Sequence, residues 1–570
     1  MKKMKVIYCL IFLGGIMFVV FLHQTFLSAS YISESEIQHA YIPHNSNVMI
    51  GVTMNELLHA ELVKRIQSKT LYKNVIEKTT VEVNHEFPCD YCVKLDNGRV
   101  CLKAKDEKTA KWLIQQYIRQ LADTEKDIDI HDLPPSIIDC ENDTFGNFDF
   151  VYREPHFSPN LKHRFQPVSG ANSVEEYWDL WGHNLYGELK KYDLINPVFI
   201  KGGPQQICFS EKMLFNNVTA YLNKRANSYG HDRLHTCRFM IMPLDNRTAC
   251  DCPQCKEHNN TRTYATPAII DFMDRLSEQF PDYTFYTAAY HSTKLPPKRL
   301  PKSKISGVLL STCDLPKGVA LDPRKAGERD FMKTAREWRN YTDTLFVWDY
   351  AANYNDYLTP LPVLYILKKN LDFFHNCGIT GIFMQGSSYD YSPFDDVKTF
   401  VATSLMINGH LDVDHLCRRY YSQFYPVSAE ILVDYYLSLE KTMEQRKIPF
   451  DIHGNLDTAI RSYFDTDDFL EFYQKLGLLL ENENFDNDEK KQLEKLYTAL
   501  SFTWLQIAFH QQTGSYDITN ANGRTLNITP EILTVIKRLS QHNLHHFINY
   551  REKDGYLGKY LSYWEKYMNG

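Results

Sequence analysis

Seven short apolar runs between residues 148 and 386 each close on residues that can hold charge, move a proton or grip a hydroxyl. They are FDFVYRE, PVFIKG, CRFMIMPLD, YTFYTAAYH, ISGVLLSTCD, TLFVWDY and TGIFMQG, and they place Glu154, Asp245, Tyr290, Asp314, Asp349 and Gln385 at or near their ends. Any one acid in such a place can equally be a helix cap or a turn residue. Several carboxylates drawn from different strands to one mouth argue for chemistry instead. Hydrolysis of a glycosidic bond needs that arrangement: one acid protonates the leaving oxygen while a second group attacks or stabilises the oxocarbenium-like centre. Tyr152, Trp181, Trp348, Tyr350 and Tyr354 lie beside these acids and offer flat faces for sugar rings. The segment LWGHNLYGEL adds His183 and Asn184, either structural or hydroxyl-binding. Other chemistries lack their signatures: there is no G-x-S-x-G nucleophile elbow and no H-E-x-x-H zinc motif.

Directly after Asp245 the chain reads NRTACDCPQC, which sets Cys250, Cys252 and Cys255 in C-x-C-x-x-C spacing. Three thiols need a fourth ligand to close a zinc site, and His258 is the nearest candidate in sequence. A disulfide such as Cys250 to Cys255 is a second reading. Reduced thiols that shape the loop are the expected state, with no metal and no cofactor required. A similar knuckle, Cys89 and Cys92 with Cys101, stands earlier, and Cys208, Cys313 and Cys377 sit in apolar contexts where a buried thiol is the default.

The elements that must position these residues follow from periodicity. The seven runs are separated by helical segments, which suits repeated β-α units around a parallel sheet. A (β/α)8 TIM barrel at 145–410 is the expected form, because its active site is built at the C-terminal ends of its strands. An open doubly wound sheet would need a glycine-rich phosphate turn, and neither G-x-G-x-x-G nor a Walker A sequence occurs. Residues 31–144 read as a small α/β domain whose best helix is TAKWLIQQYIRQLA, and VMIGV and GRVCLKA read as strands within it. Residues 411–570 read as a helical domain, with apolar positions recurring at three and four.

Residues 1–30 read as a signal peptide or signal anchor. MKKMK is a basic start, Val6 to Leu22 is a 17-residue run without charge, and Ser28-Ala29-Ser30 supplies small residues for cleavage. The expected location is exported, periplasmic or at the cell surface, with membrane attachment only through an uncleaved N-terminal segment. A net charge of -7 leaves no basic face for a phosphate backbone, so nucleic acid is not an expected partner.

The ordered set YREPHF, WGHNLY, QICFS, MIMPLDNRTACDCPQC, TAAYHSTKLPP, VWDYAANYNDYLTPLP and GIFMQGSS resembles the bacterial domain-of-unknown-function family 4838 over roughly residues 40–435. Some members of that family are placed in glycoside hydrolase family 163, endo-β-N-acetylglucosaminidases acting on complex N-glycans. The resemblance implies a TIM barrel preceded by a small domain like that of family 20 hexosaminidases, in an exported bacterial enzyme. It implies cleavage of β-linked N-acetylglucosamine by a substrate-assisted retaining mechanism, with an oligosaccharide or glycoprotein glycan as partner. Asp245, Asp349 and Glu154 are then the candidate acids, and Tyr152, Arg153, Trp181, His183, Asn184, Tyr290, Trp348, Tyr350 and Gln385 the candidate sugar-binding residues. The family pattern also implies a glutamate after the Gln-Gly pair; this chain has Pro393 there, with Asp390, Asp395 and Asp396 nearby. Two alternatives stay open. One is another glycosidase, such as an α-glucuronidase-like activity in which Arg153 or Lys201 reads a substrate carboxylate. The other is a glycan-binding protein whose catalysis is impaired.

Overall fold

The computed structural model describes residues 54–570 except 162–168, 196–199, 202–205, 229–236, 299–304, 483, 521–525, 544–548, 554 and 569–570. The expected signal segment and the VMIGV strand lie outside the described residues, as does most of PVFIKG. The chain divides into two compact units, one ending at Gly146 and the other beginning at Asn147.

In the first unit, the helices Met54–Arg65, Lys69–Lys78 and Glu107–Thr124 accompany four strands: β1 (Thr79–Val83), β2 (Tyr91–Asp96), β3 (Arg99–Ala104) and β4 (Thr144–Gly146). Their order is β1-β3-β2-β4. β1 runs parallel to β3, and β2 is antiparallel to both β3 and β4. Asp106 starts the long helix by accepting the Thr109 N–H at 2.7 Å, which satisfies one of the donors a helix start leaves open. That helix buries Trp112, Leu113, Ile114, Tyr117 and Ile118.

The second unit is organised on a six-stranded parallel sheet. Its strands are β5 (Tyr152–His156), β8 (Arg238–Met240), β9 (Thr284–Ala289), β10 (Gly307–Ser311), β11 (Leu345–Tyr350) and β12 (Gly381–Gln385), in the order β5-β12-β11-β10-β9-β8. A separate antiparallel ribbon joins β6 (Ile200–Lys201) to β7 (Gln206–Ile207). VLL in β10 and LFV in β11 are fully buried runs, as expected where both faces of a parallel sheet are covered.

The expectation of eight β-α repeats is met only in part among the described residues. Two edges of the sheet, β5 and β8, face a gap that a non-strand segment bridges instead. The Asn172 N–H donates to the Arg153 carbonyl at 2.7 Å, Leu180 forms a parallel bridge to Phe239, and the Met240 N–H donates to the Leu180 carbonyl at 2.9 Å. Inward-facing side chains from all six strands meet in one core: Tyr152, Met240, Tyr286, Leu309, Phe346 and Phe383, with Trp178 of the bridging segment among them. The sheet is therefore curled around a filled interior, as in a barrel, although its wall is incomplete as strand.

Helices after β12 belong to this same unit. Helix Asp395–Ile407 is buried on almost every side, packed against β5 and against helices Leu364–Asn376 and Val413–Phe424. Buried carboxylates join the helices to the sheet connections. Glu440, from helix Ala429–Arg446, accepts the N–H groups of Val363, Leu364 and Tyr365 at 2.8–3.0 Å, and so caps the helix that follows β11. Leu358, from the loop after β11, enters the core of the last helices beside Phe502, Leu505, Leu557 and Trp564.

Candidate active site

A strand alternates its side chains between two faces, so at the end of β11 Trp348 and Tyr350 point one way and Asp349 the other. The first face opens into a cavity of about 370 Å³ at the C-terminal ends of the strands. Its walls carry His183, Met242, Asp245, Ala288, Tyr290, Ser311, Trp348, Tyr350, Tyr354 and Gln385, and it is completed by Ile452, His453, Glu552 and Lys553 from the C-terminal helical region.

Asp245 reaches this cavity because β8 runs on as buried backbone through Ile241 and Met242 before the chain turns at Pro243. Its side chain stays 65% exposed, so its charge remains in contact with water. His183 donates its Nδ1 hydrogen to the Pro243 carbonyl at 2.6 Å, because a carbonyl can only accept, and this leaves Nε2 facing Asp245 at 3.9 Å. Gly182 makes the turn possible: its φ of +62° is a conformation that side-chain-bearing residues avoid. Burial pushes the Tyr290 phenol well above its usual range, and the adjacent Asp245 carboxylate adds to the shift, so Tyr290 is a hydrogen-bond donor at neutral pH.

The opposite wall is aromatic and tightly braced. Trp348 stacks on Trp181 with ring centres 5.0 Å apart and donates its indole N–H to Gln385 Oε1 at 2.6 Å. The Gln385 amide nitrogen is left to donate elsewhere. The Tyr350 hydroxyl is 3.1 Å from Ser311 Oγ. Tyr354 hydrogen-bonds the Gln385 carbonyl at 3.2 Å, and its backbone ties in both distant segments: its N–H donates to the Ile452 carbonyl, while its own carbonyl accepts the Glu552 N–H. The arrangement combines carboxylates in water, fixed aromatic planes, a phenol donor and an amide donor, which is what binding and cleaving a polyhydroxylated ring requires.

Seven of the sequence candidates thus gather here: Asp245, His183, Tyr290, Trp348, Tyr350, Tyr354 and Gln385. The others are placed elsewhere. Asp349 sits on the back of β11, accepting from Thr312 Oγ1 and pairing with Lys317 Nζ at 3.2 Å in a niche lined also by Met384 and Phe450. Strand alternation thus places it outside the lining of this cavity. Glu154 is fully buried; it takes the Tyr152 hydroxyl, His156 Nδ1 at 3.0 Å and the Val174 N–H at 2.9 Å, and so braces the segment that bridges the sheet's edges. Burial raises its pKa. Tyr152 is a core residue beneath the mouth, and Trp181 supports Trp348 from behind. Arg153 is buried on the outer face, with its guanidinium bonded to the carbonyls of Phe150 and Gly170. Asn184 is exposed and donates its amide N–H to the Trp181 carbonyl at 2.8 Å. The side chain of Lys201 lies outside the described set.

None of the acids near Pro393 enters the cavity. Asp395 is buried in an ion pair with Lys398 at 2.5 Å, Asp396 accepts from the Tyr420 and Tyr425 hydroxyls, and Asp390 accepts from Ser158. The acid that sequence reasoning missed is Glu552. It belongs to a segment about three hundred residues beyond Asp245, with no motif around it.

Apart from this cavity, four thiols converge: Cys208, Cys250, Cys252 and Cys255 hold their sulfurs within 4.8 Å of one another, the one such cluster of potential metal ligands among the described residues.

Residues 146–438, half of the chain, match the family described as a domain of unknown function (DUF4838), and the chain belongs to that family. Similar solved structures are glycoside hydrolases. A family 89 glycoside hydrolase from Clostridium perfringens in complex with PUGNAc superposes with a TM-score of 0.52 at 8% identity, covering 86% of this chain and 65% of that one. The same organism's enzyme in complex with its substrate GlcNAc-α-1,4-galactose gives 0.51 at 9% identity, with 86% and 64% covered. A family 138 enzyme targeting pectin rhamnogalacturonan II gives only 0.44 at 9% identity, with 91% and 78% covered. The chain spans just under two thirds of the family 89 structures, and at these identities the likeness is one of fold. No curated protein matches the chain.

Proposed function

We propose that the protein is a glycoside hydrolase that cleaves β-linked N-acetylglucosamine in complex N-glycans or related glycans, after export directed by its N-terminal segment. The observation that carries the reading is the mouth itself: Asp245, left in water at the end of β8, faces Tyr290 and His183 across a cavity walled by Trp348 and Tyr350, with Glu552 as a second carboxylate. The shared fold with a glycosidase bound to GlcNAc-α-1,4-galactose supports a sugar substrate; the β-linkage rests on the family resemblance.

In the proposed reaction the acetamido carbonyl oxygen of the substrate attacks its own anomeric carbon, which releases the aglycone. One carboxyl group, in its protonated form, gives a proton to the departing oxygen while the other, as carboxylate, orients the acetamide N–H, and water then opens the cyclic intermediate with retention. Asp245 and Glu552 share these two duties. Tyr290 and Gln385 donate to hydroxyls, and Trp348 presents its face to the ring.

Incubation of the purified protein with a complex N-glycoprotein, with released glycans read by mass spectrometry, tests activity and bond position together. Release of a glycan cut at a β-linked N-acetylglucosamine, abolished in Asp245→Asn, is the expected outcome. Tight calorimetric binding of the glycan without product identifies a lectin-like protein and overturns the assignment.

A further inference from the structure

We infer that Cys208, Cys250, Cys252 and Cys255 form a tetrathiolate zinc site that fixes the loop carrying Asp245. Sequence spacing brings only three thiols together and leaves His258 as the apparent fourth ligand. In the fold, His258 Nδ1 turns toward Asp271 at 3.9 Å, and the fourth sulfur comes from Cys208, just after β7. Cys208 Sγ lies 3.6 Å from Cys252 Sγ and 3.7 Å from Cys255 Sγ.

Those separations discriminate between fates for the thiols. Zinc bonds sulfur at about 2.3 Å in a tetrahedron, whose edges are therefore roughly 3.8 Å. A disulfide draws two sulfurs to about 2.05 Å, far closer than the 3.6 Å and 3.7 Å found here. Cys208 keeps similar distances to two partners at once, with Cys250 held in the same cluster, which is the metal pattern. The surroundings agree: Cys208, Cys250 and Cys255 are buried, away from water that would compete for a metal. Pro253 then opens the short helix Pro253–Glu257 that presents Cys255. Four soft ligands and no carboxylate or water position define a closed, structural site.

Its place in the fold gives it a purpose. The Gln206 side chain, two residues before Cys208, accepts the Leu244 N–H at 2.7 Å and donates to the Leu244 carbonyl, Asn246 Oδ1 and the Thr248 carbonyl. Asp245 is thus pinned at one end by this amide and at the other, five residues on, by the metal.

The test is elemental analysis of full-length protein purified without added metal or chelator. One zinc per chain is expected, released as one equivalent when a mercurial caps four thiolates. Cys208→Ser and Cys252→Ser are each expected to lose the zinc, whereas Cys377→Ser, a buried thiol elsewhere, keeps it. Metal-free protein with all thiols reactive after unfolding, a disulfide between any two of the four in peptide maps, or iron in place of zinc each overturns the assignment. The metal content of the unmodified chain decides the matter even if a variant fails to fold.

Discussion

The two faces of the sheet's C-terminal edge treat the same residue type in opposite ways. On the inner face Asp245 stays 65% exposed beside a cavity, with His183 Nε2 3.9 Å away. On the back, Asp349 is 18% exposed and is engaged by Thr312 and Lys317. Lys317 in turn donates to the Thr312 carbonyl at 2.6 Å and lies 5.5 Å from the Tyr350 ring centre. A carboxylate that must change protonation state or meet a substrate cannot also have its oxygens committed to a neighbouring cation. The mouth keeps its acids available; the back uses them as struts.

The sharpest way to break this contrast is to exchange carboxylate for amide on each face. Asp245→Asn should lower turnover on an N-glycan by about 10²–10⁴-fold, the range a positioned acid or base commands. Glu552→Gln should fall in the same range, and the two are separated by leaving group. On an aryl glycoside whose phenolate departs without help, the variant lacking the proton donor recovers most of its rate, and the variant lacking the acetamide-orienting group does not. Equal, wild-type rates in both variants would remove the cavity as the active site.

Asp349→Asn should do the reverse. The amide can still accept from Thr312, but Lys317 loses its anion in a half-buried niche, at a cost on the order of 1–3 kcal/mol in stability. Turnover should stay within a few-fold of wild type, since nothing of Asp349 reaches the cavity. A drop of a hundredfold in rate with an unchanged melting temperature would show that strand alternation had been misjudged as a guide.

Much of this contrast was beyond the reach of sequence. The runs ending in Asp245, Tyr290, Trp348 and Gln385 were legible because apolar segments of strand length, closed by polar residues, have few other readings. The face on which a strand-end residue falls was not. VWDY alternates aromatic and acid, and register decides which of them meets the cavity. Glu154 and Arg153 looked functional for being charged beside a strand, yet both are hydrogen-bonded braces of the bridging segment. The expectation of an eight-stranded barrel is met only in part among the described residues for a similar reason: Asn172 and Leu180 complete hydrogen bonds to the sheet edges without forming a strand. Glu552 and Cys208 carried no local signal at all, because each joins its partners only through tertiary folding.

The smallest effect lies with Asp356, in the loop between the mouth and the last helices, and it tests the strut idea by pH. Its carboxylate is buried and accepts from the N–H groups of Leu358 and Thr359, from Thr359 Oγ1 at 2.6 Å and from Gln506 Nε2 at 3.0 Å. Burial outweighs these four donors and raises its pKa. A group whose folded pKa lies above its unfolded one binds the proton more tightly in the folded state. Its ionised form therefore subtracts stability progressively as pH rises from the unfolded value of about 3.9 through the folded one. Asp356→Asn cannot ionise and keeps an acceptor for the loop. Melting temperatures of both proteins between pH 4 and 8 should show the wild-type advantage greatest at the acid end and shrinking as pH rises. An advantage that grew with pH would mean that the four donors hold Asp356 as a favoured anion, and that the loop behind Tyr354 is fixed by charge rather than by geometry.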